Sequence, residues 1–252
     1  MKRLDLTLGS ASENVALDEA LLEAAEAAST AATWVGSSTG ADGILRFWEP
    51  SQPMVVVGRS SRTADEARLE ECARINAAVV RRSSGGASIV SGPGCLMYAL
   101  VLSYQEFPQL RSIDVAHRFV LAKMVAGLQS LAPAVACRGT SDLVSGDRKF
   151  SGNSVRCKRN HLLYHGTLLY DFDLSLVERL LKTPPRQPDY RAGRSHGQFI
   201  CNLPATADQL RAAISAAWQA DESIDAWPQA ETARLVAEKY SRDVWNLEGS
   251  IP

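Results

Sequence analysis

The sequence predicts an α+β domain in which mixed and antiparallel β-sheets are flanked by helices. Three observations predict it. Short runs rich in Val, Ile and Leu fall into two clusters, roughly 44–103 and 141–171, punctuated by Gly, Pro and Ser turns. Helical periodicity is confined to separate segments before, between and after those clusters. The 252 residues, 46% apolar and 22% charged, suit a single domain spanning 1–252 and exclude collagen-like, coiled-coil and disordered classes.

Each element has a local reason. Ser10-Ala-Ser-Glu13 is a capping-box pattern, and Leu17, Ala20, Leu21, Ala24 and Ala28 follow at helical spacing, so a first helix is expected over 11–28. Residues 36–43 read as a loop. Residues 44–48 read as a strand stopped by Glu49-Pro50, and 54–57 as a short buried strand ending at Gly58. A polar helix is expected over 64–74. Residues 77–80, 87–90 and 96–103 read as consecutive strands separated by Ser-Ser-Gly-Gly and Ser-Gly-Pro-Gly. Asp114 is expected to cap a helix reaching 131, with Phe119, Met124 and Leu128 on its apolar side. Strands follow over 141–145, 148–156 and 162–171, joined by hairpin-like turns at Ser145-Gly146-Asp147 and Lys158-Arg159-Asn160. A short helix is expected over 174–181. Pro184, Pro185 and Pro188 then make 182–197 a long irregular basic loop, a plausible lid. Thr206-Ala-Asp-Gln209, another capping box, opens a helix to 220. The last helix covers 230–240, and a terminal strand is expected at 243–246.

Composition narrows the classes of function. The five cysteines (72, 95, 137, 157 and 201) are odd in number and form no CxxC pair. That pattern argues against a disulfide framework or structural zinc and for a reducing compartment, the cytoplasm. No apolar stretch reaches the ~18 residues of a membrane span, and Asp5 and Ser10 interrupt any signal-peptide core, so no membrane association is expected. Charge is uneven: the balance is −5 over 1–80, +8 over 81–200 and −4 over 201–252. The basic middle suits phosphates or an acidic protein surface as well as solvated loops. No nucleic-acid motif accompanies it, so none is expected as partner.

Three constellations carry chemistry. Arg81-Arg82-Ser83-Ser84-Gly85-Gly86 lies between two strands, where adjacent glycines let backbone N–H groups approach an anion and arginines supply charged donors. A plain β-turn with exposed arginines is an equal reading. Arg148-Lys149-Phe150-Ser151-Gly152-Asn153 places a lysine beside small residues, where its charge can meet an oxyanion or an acyl phosphate; a solvated hairpin lysine is the alternative. His165-Gly166-Thr167 sits in an apolar strand, where a lone histidine is more often a hydrogen-bonded core residue than a base. His161 and His165 form HxxxH, but on a strand four residues span roughly 13 Å, too far for one ion.

In this order, RRSSGG-A, SDLV-(3)-RKFSGNSVR and HGTLLYDFDL, with Asn14-Val-Ala-Leu-Asp-Glu-Ala-Leu-Leu22 near the start, resemble the lipoate–protein ligase family of the biotin/lipoate ligase superfamily. The resemblance implies that family's mixed-sheet catalytic domain, here without the C-terminal accessory domain many ligases carry. It implies activation of lipoate by ATP and Mg²⁺ to lipoyl-AMP. Transfer would follow to a lysine of an acidic lipoyl domain, from a 2-oxoacid dehydrogenase acyltransferase subunit or the glycine cleavage H protein. A separate accessory subunit is a further implied partner. By motif, Lys149 would be the essential lysine. Arg82, Ser84, Gly85 and Gly86 would line the acyl and phosphate site. Asp142 would sit near the adenylate or its Mg²⁺. Ser151 and Gly152 would accompany the lysine, and His165, Gly166 and Thr167 would shape the acyl pocket. Ser91, Cys95 and Ser141 depart from the His, Asn and Asn common in the family. A second reading is an ATP-independent octanoyl or lipoyl transferase with Cys137, twelve residues before Lys149, as nucleophile. A third is a non-catalytic lipoate- or nucleotide-binding module.

Overall fold

A computed structural model describes residues 1–30, 43–184 and 187–249; most of the predicted 36–43 loop lies outside them. Its strands in chain order are β1 (Lys2–Asp5), β2 (Ile44–Trp48), β3 (Met54–Val57), β4 (Ala78–Arg81), β5 (Ile89–Ser91) and β6 (Cys95–Ser103). They continue with β7 (Val135–Arg138), β8 (Asp142–Ser145), β9 (Arg148–Cys157), β10 (His161–Leu169) and β11 (Glu222–Ser223). The helices are α1 (Ala11–Thr30), α2 (Thr63–Glu66), α3 (Leu69–Arg74), α4 (Ile113–Leu128), α5 (Ser175–Leu180), α6 (His196–Phe199), α7 (Ala207–Trp218) and α8 (Gln229–Leu235).

A larger sheet runs β11-β1-β2-β6-β10-β9-β8-β7 and a smaller one β4-β3-β5. Both are mixed: β1 is parallel to β2 and β11, and β3 is parallel to β4 but antiparallel to β5. The α+β class with helix-flanked mixed sheets therefore holds.

Side-chain alternation decides which core each strand feeds. In β6, buried along its whole length, Leu96, Tyr98, Leu100 and Leu102 join the core under α4 and α7, while Ala99 and Val101 turn to α1. In β10, Leu162, Tyr164 and Leu168 take the α4/α7 side and Leu163 the α1 side. Parity therefore sends His165 and Thr167 away from the apolar α4/α7 core. A third cluster, with Val55, Val56 and Val80 of the small sheet, Trp48 and Met97 of the large sheet and Ala16 of α1, joins the two sheets.

Several elements differ from expectation for identifiable reasons. The 64–74 helix is split into α2 and α3 because Ala67 bridges Leu181 and the Arg68 N–H donates to Leu180. β5 starts only at Ile89, since the Ser88 N–H is taken by Glu66 at 2.6 Å. Ser112, not Asp114, holds the N-cap position of α4. The 182–197 loop ends earlier than expected, running into α6 at His196, which a Ser195–Gln198 capping box opens. α8 ends at Leu235 and continues through a wider helical turn, Val236–Tyr240. The expected terminal strand is instead a helical turn, Val244–Glu248. Trp245 and Asn246 there trade hydrogen bonds with Arg81, leaving no ladder for them to join. Strands β1, β7 and β11, of which β7 and β11 are the two edges of the larger sheet, were not expected. No helix among the described residues is long and apolar enough to cross a membrane.

Candidate active site

A cavity of about 430 Å³ opens where the two sheets meet α1, with a smaller chamber of about 150 Å³ beside it. One wall of the larger cavity is apolar: Val15, Trp48, Val56, Ile89 and Met97. The opposing lining includes Lys149, Asp142, Asn153 and Gln187. An apolar trough with a lysine ammonium in its lining suits a flexible chain ending in a carboxylate.

Lys149 stands near the start of β9, at a bulge: Leu143 pairs with Ser151 and Val144 with Lys149, so Phe150 is the extra residue. Phe150 fills the core while Lys149 is aimed into the cavity, a common use of a bulge. Its Nζ is 2.7 Å from Asp142 Oδ1. Tyr190, from the 182–197 loop, donates to Asp142 Oδ2 at 2.7 Å. Burial, then the Asp142 carboxylate, pushes the Tyr190 phenol well above its ordinary range, so it stays a donor.

The double-glycine loop has a divided role. Gly86 lines the cavity in the left-handed region, φ +89°, which suits glycine. Arg82 also lines it, yet its donors are spent on Ser84 Oγ, Val56 O, Gly85 O and Ala87 O. Burial lowers Arg82 to about 10, which leaves it charged at neutral pH. Ser84 and Gly85 line neither chamber and hold the loop from behind.

On β10, His165, Gly166 and Thr167 line the cavity. A Cβ on Gly166 would lie 1.9 Å from Asn153 Oδ1, which accepts from Tyr98 OH at 2.5 Å, so this glycine admits the amide. Thr167 Oγ1 accepts from the Gly152 N–H at 3.3 Å. The structure thus brings Lys149, Asp142, Arg82, Gly86, Gly152, His165, Gly166 and Thr167 around one cavity, and Ser151 onto the adjoining chamber.

Cys137 is not among them. It is exposed on β7, the outermost strand, and lines neither chamber. Desolvation raises its thiol, the opposite of what a nucleophile needs. The structure thereby corrects the twelve-residue spacing argument. A resident Mg²⁺ does not fit either. Asp142 gives one oxygen to Lys149 and the other to Tyr190, and no three His, Cys, Asp or Glu cluster suitably among the described residues.

Sequence reasoning missed Asp18, Asn153 and Tyr190 as site residues. Asp18 had a visible signal: with Asn14 it is a polar pair at i,i+4 inside the apolar stripe of α1, and both bind the buried Arg46. Tyr190 had none, since only the folded loop brings it to Asp142.

Known proteins bear on this geometry. A Staphylococcus aureus lipoate–protein ligase 1 is 27% identical over 158 residues, 61% of this chain but 45% of that protein. The chain thus matches under half the length of that relative. A bi-partite lipoate protein ligase from Thermoplasma acidophilum, described with its E2 lipoyl domain, superposes with TM-score 0.79 at 21% identity over 99% of this chain and 96% of that one. A lipoate-protein ligase A bound with ATP gives 0.76 at 20%, over 99% and 100%. At such identity these two show the shared fold. The sequence model of the lipoyl protein ligase A/B catalytic domain matches residues 10–229, so the chain belongs to that family.

Proposed function

We propose that the protein joins lipoate to ATP as lipoyl-AMP and passes the lipoyl group to a lysine of a lipoyl domain. The observation that carries this reading is one ammonium group, Lys149, held on Asp142 at the polar side of a cavity with an apolar wall. In the first half-reaction a lipoate carboxylate oxygen attacks the α-phosphorus, and pyrophosphate leaves with the broken P–O bond. In the second, the acceptor amine attacks the acyl carbon, AMP leaves with its bonding pair, and the amine loses a proton to water. Negative charge grows on oxygens beside the acyl carbon and the α-phosphorus in both steps, where one fixed cation stabilises it. No protein nucleophile is required. Any Mg²⁺ would be held by the nucleotide rather than by Asp142, whose two oxygens are already taken, and would supply further positive charge. The solved relative bound with ATP supports the choice of co-substrate. Incubating the protein with ATP, lipoate and an acidic lipoyl domain should release pyrophosphate and add one lipoyl mass to the domain. An octanoyl-carrier thioester that acylates without ATP would favour the transferase.

The transferase reading is tested separately at Cys137. Because Cys137 lies outside both chambers, Cys137→Ser should retain wild-type acylation of the lipoyl domain by mass spectrometry. Complete loss would reinstate it as nucleophile.

We also propose that the partner is an acidic lipoyl domain, from a 2-oxoacid dehydrogenase acyltransferase subunit or the H protein. A second polypeptide is a further candidate, as in the archaeal bi-partite ligase. The +8 balance over 81–200 would steer an acidic partner. Second-order transfer from preformed lipoyl-AMP should therefore slow several-fold as salt rises above the physiological range. A rate indifferent to salt would remove steering.

A further inference from the structure

A hydrogen-bonded file crosses the cavity wall from α1 to the double-glycine loop. Asp18 Oδ1 accepts from Arg46 Nη1 at 2.5 Å, and Asp18 Oδ2 is 3.4 Å from His165 Nδ1. His165 Nε2 is 2.5 Å from Ser84 Oγ, which also accepts from Arg82 Nε at 3.1 Å. Arg46, Asp18, Ser84 and Arg82 are all buried, so their hydrogens need acceptors inside the protein.

Counting donors decides where the protons sit. Both arginines only donate, and the Asp18 carboxylate only accepts. Ser84 has a single hydrogen and already receives one from Arg82. Its hydroxyl can therefore be satisfied only by donating to a bare His165 Nε2. Nδ1 then carries the ring proton, facing Asp18. An Nε2–H ring, or a doubly protonated one, would leave the Ser84 hydrogen without a partner.

The order Ser–His–Asp is also that of an activated serine. Here Ser84 lines neither chamber, so it cannot reach an acyl carbon. Its neighbours are what the file controls. Arg82 holds the carbonyls of Gly85 and Ala87, Ser154 Oγ donates to Gly85 O at 2.9 Å, and Gly86 faces the cavity.

We propose that Asp18 is a positioning residue for this loop. It holds His165 in the neutral Nδ1–H tautomer, so that Nε2 draws in the Ser84 hydroxyl and the backbone at Gly85 and Gly86 is fixed against the cavity. Its effect on turnover rests on the ligase reading above; the tautomer does not.

The tautomer is read directly from long-range ¹H–¹⁵N correlation spectra of the full ¹⁵N-labelled chain at neutral pH. Only four histidines contribute, and His165→Gln assigns the relevant one. The expected spectrum shows a protonated Nδ1 and a bare Nε2. In Asp18→Asn, Arg46 keeps the amide oxygen, the amide nitrogen donates to Nδ1, and the proton moves to Nε2. Asp18→Asn and Ser84→Ala should each lower lipoate-dependent turnover about tenfold, the scale of a lost buried hydrogen bond. Combined, they should cost little more than either alone, because both cut the same path. An Nε2–H or charged ring in the wild type, an unchanged tautomer in Asp18→Asn, or additive losses would overturn the proposal. If Asp18→Asn fails to fold with Arg46 unpaired, the wild-type spectrum and Ser84→Ala still decide: full Ser84→Ala activity refutes it. A wild type without ligase activity would sink the ligase reading, while the spectrum would still test the tautomer.

Discussion

Lys149→Ala should abolish lipoate-dependent pyrophosphate release while the protein stays folded. The two halves of that expectation have separate causes. Removing a charge aimed at a developing oxyanion costs about 10²–10³ in rate where a comparable donor has been deleted. On the proposed reading Lys149 also binds the attacking carboxylate in the ground state, so affinity for lipoate should fall with turnover. Stability should fall only modestly, because the Lys149 side chain is about a quarter exposed and water can enter beside the more deeply buried Asp142. Asp142 is not left bare, since Tyr190 still donates to its other oxygen. Lys149→Arg keeps the charge but replaces a compact ammonium with a wide planar fork, and it should restore little activity. Calorimetry beside a pyrophosphate-release assay separates the two effects. Wild-type turnover in Lys149→Ala would mean that the chemistry happens elsewhere.

How much of this was legible beforehand depends on where each residue's instructions lie. Strands β3 and β6 announce themselves because nearly every residue is apolar, and β10 because Leu162-Leu163-Tyr164 and Leu168-Leu169 bracket its polar centre. Strands β1, β7 and β11 do not: Lys-Arg-Leu-Asp, Val-Ala-Cys-Arg and Glu-Ser are too short to show a pattern, and they become strands only because a neighbour offers an unpaired edge. The capping boxes at Ser10 and Thr206 were readable since their partners are three residues away. At the site, Lys149 and His165 stand in dense local motifs. Asp18 meets His165 across 147 positions, and Tyr190 meets the cavity-lining Asp142 across 48, and no local pattern encodes such meetings. The Val244-Trp245 pair misled for a related reason. Its β-forming residues were read without Arg81, whose side chain takes the carbonyls of Trp245 and Asn246.

That arginine carries the second large expectation. Beside two glycines, Arg81 and Arg82 form a motif that reads as an anion cradle, yet the guanidinium of Arg81 serves the protein's own carbonyls. Nε donates to Trp245 O at 2.7 Å; Nη1 donates to Gly58 O at 2.8 Å and Ser61 O at 2.7 Å; Nη2 donates to Thr63 Oγ1 at 2.8 Å. Arg81 therefore ties the short connection between β3 and α2 to the C-terminal helical turn at the far end of the chain. Its side chain is fully buried, so removing it strips donors from several buried acceptors at once. Each buried carbonyl left unpaired costs about 1–3 kcal/mol, and water entering the space recovers part of that, so Arg81→Ala should lose roughly 3–5 kcal/mol. A urea titration should show the midpoint falling. Arg81→Lys should restore little, because three donors from one point cannot reach acceptors spread around a planar fork. If Arg81→Ala instead kept wild-type stability and lost only ATP affinity, Arg81 would be contacting substrate phosphate. With unchanged affinity per folded molecule, catalysis is left to Lys149, and the first arginine of the motif is a clasp beneath the cavity rather than part of its lining.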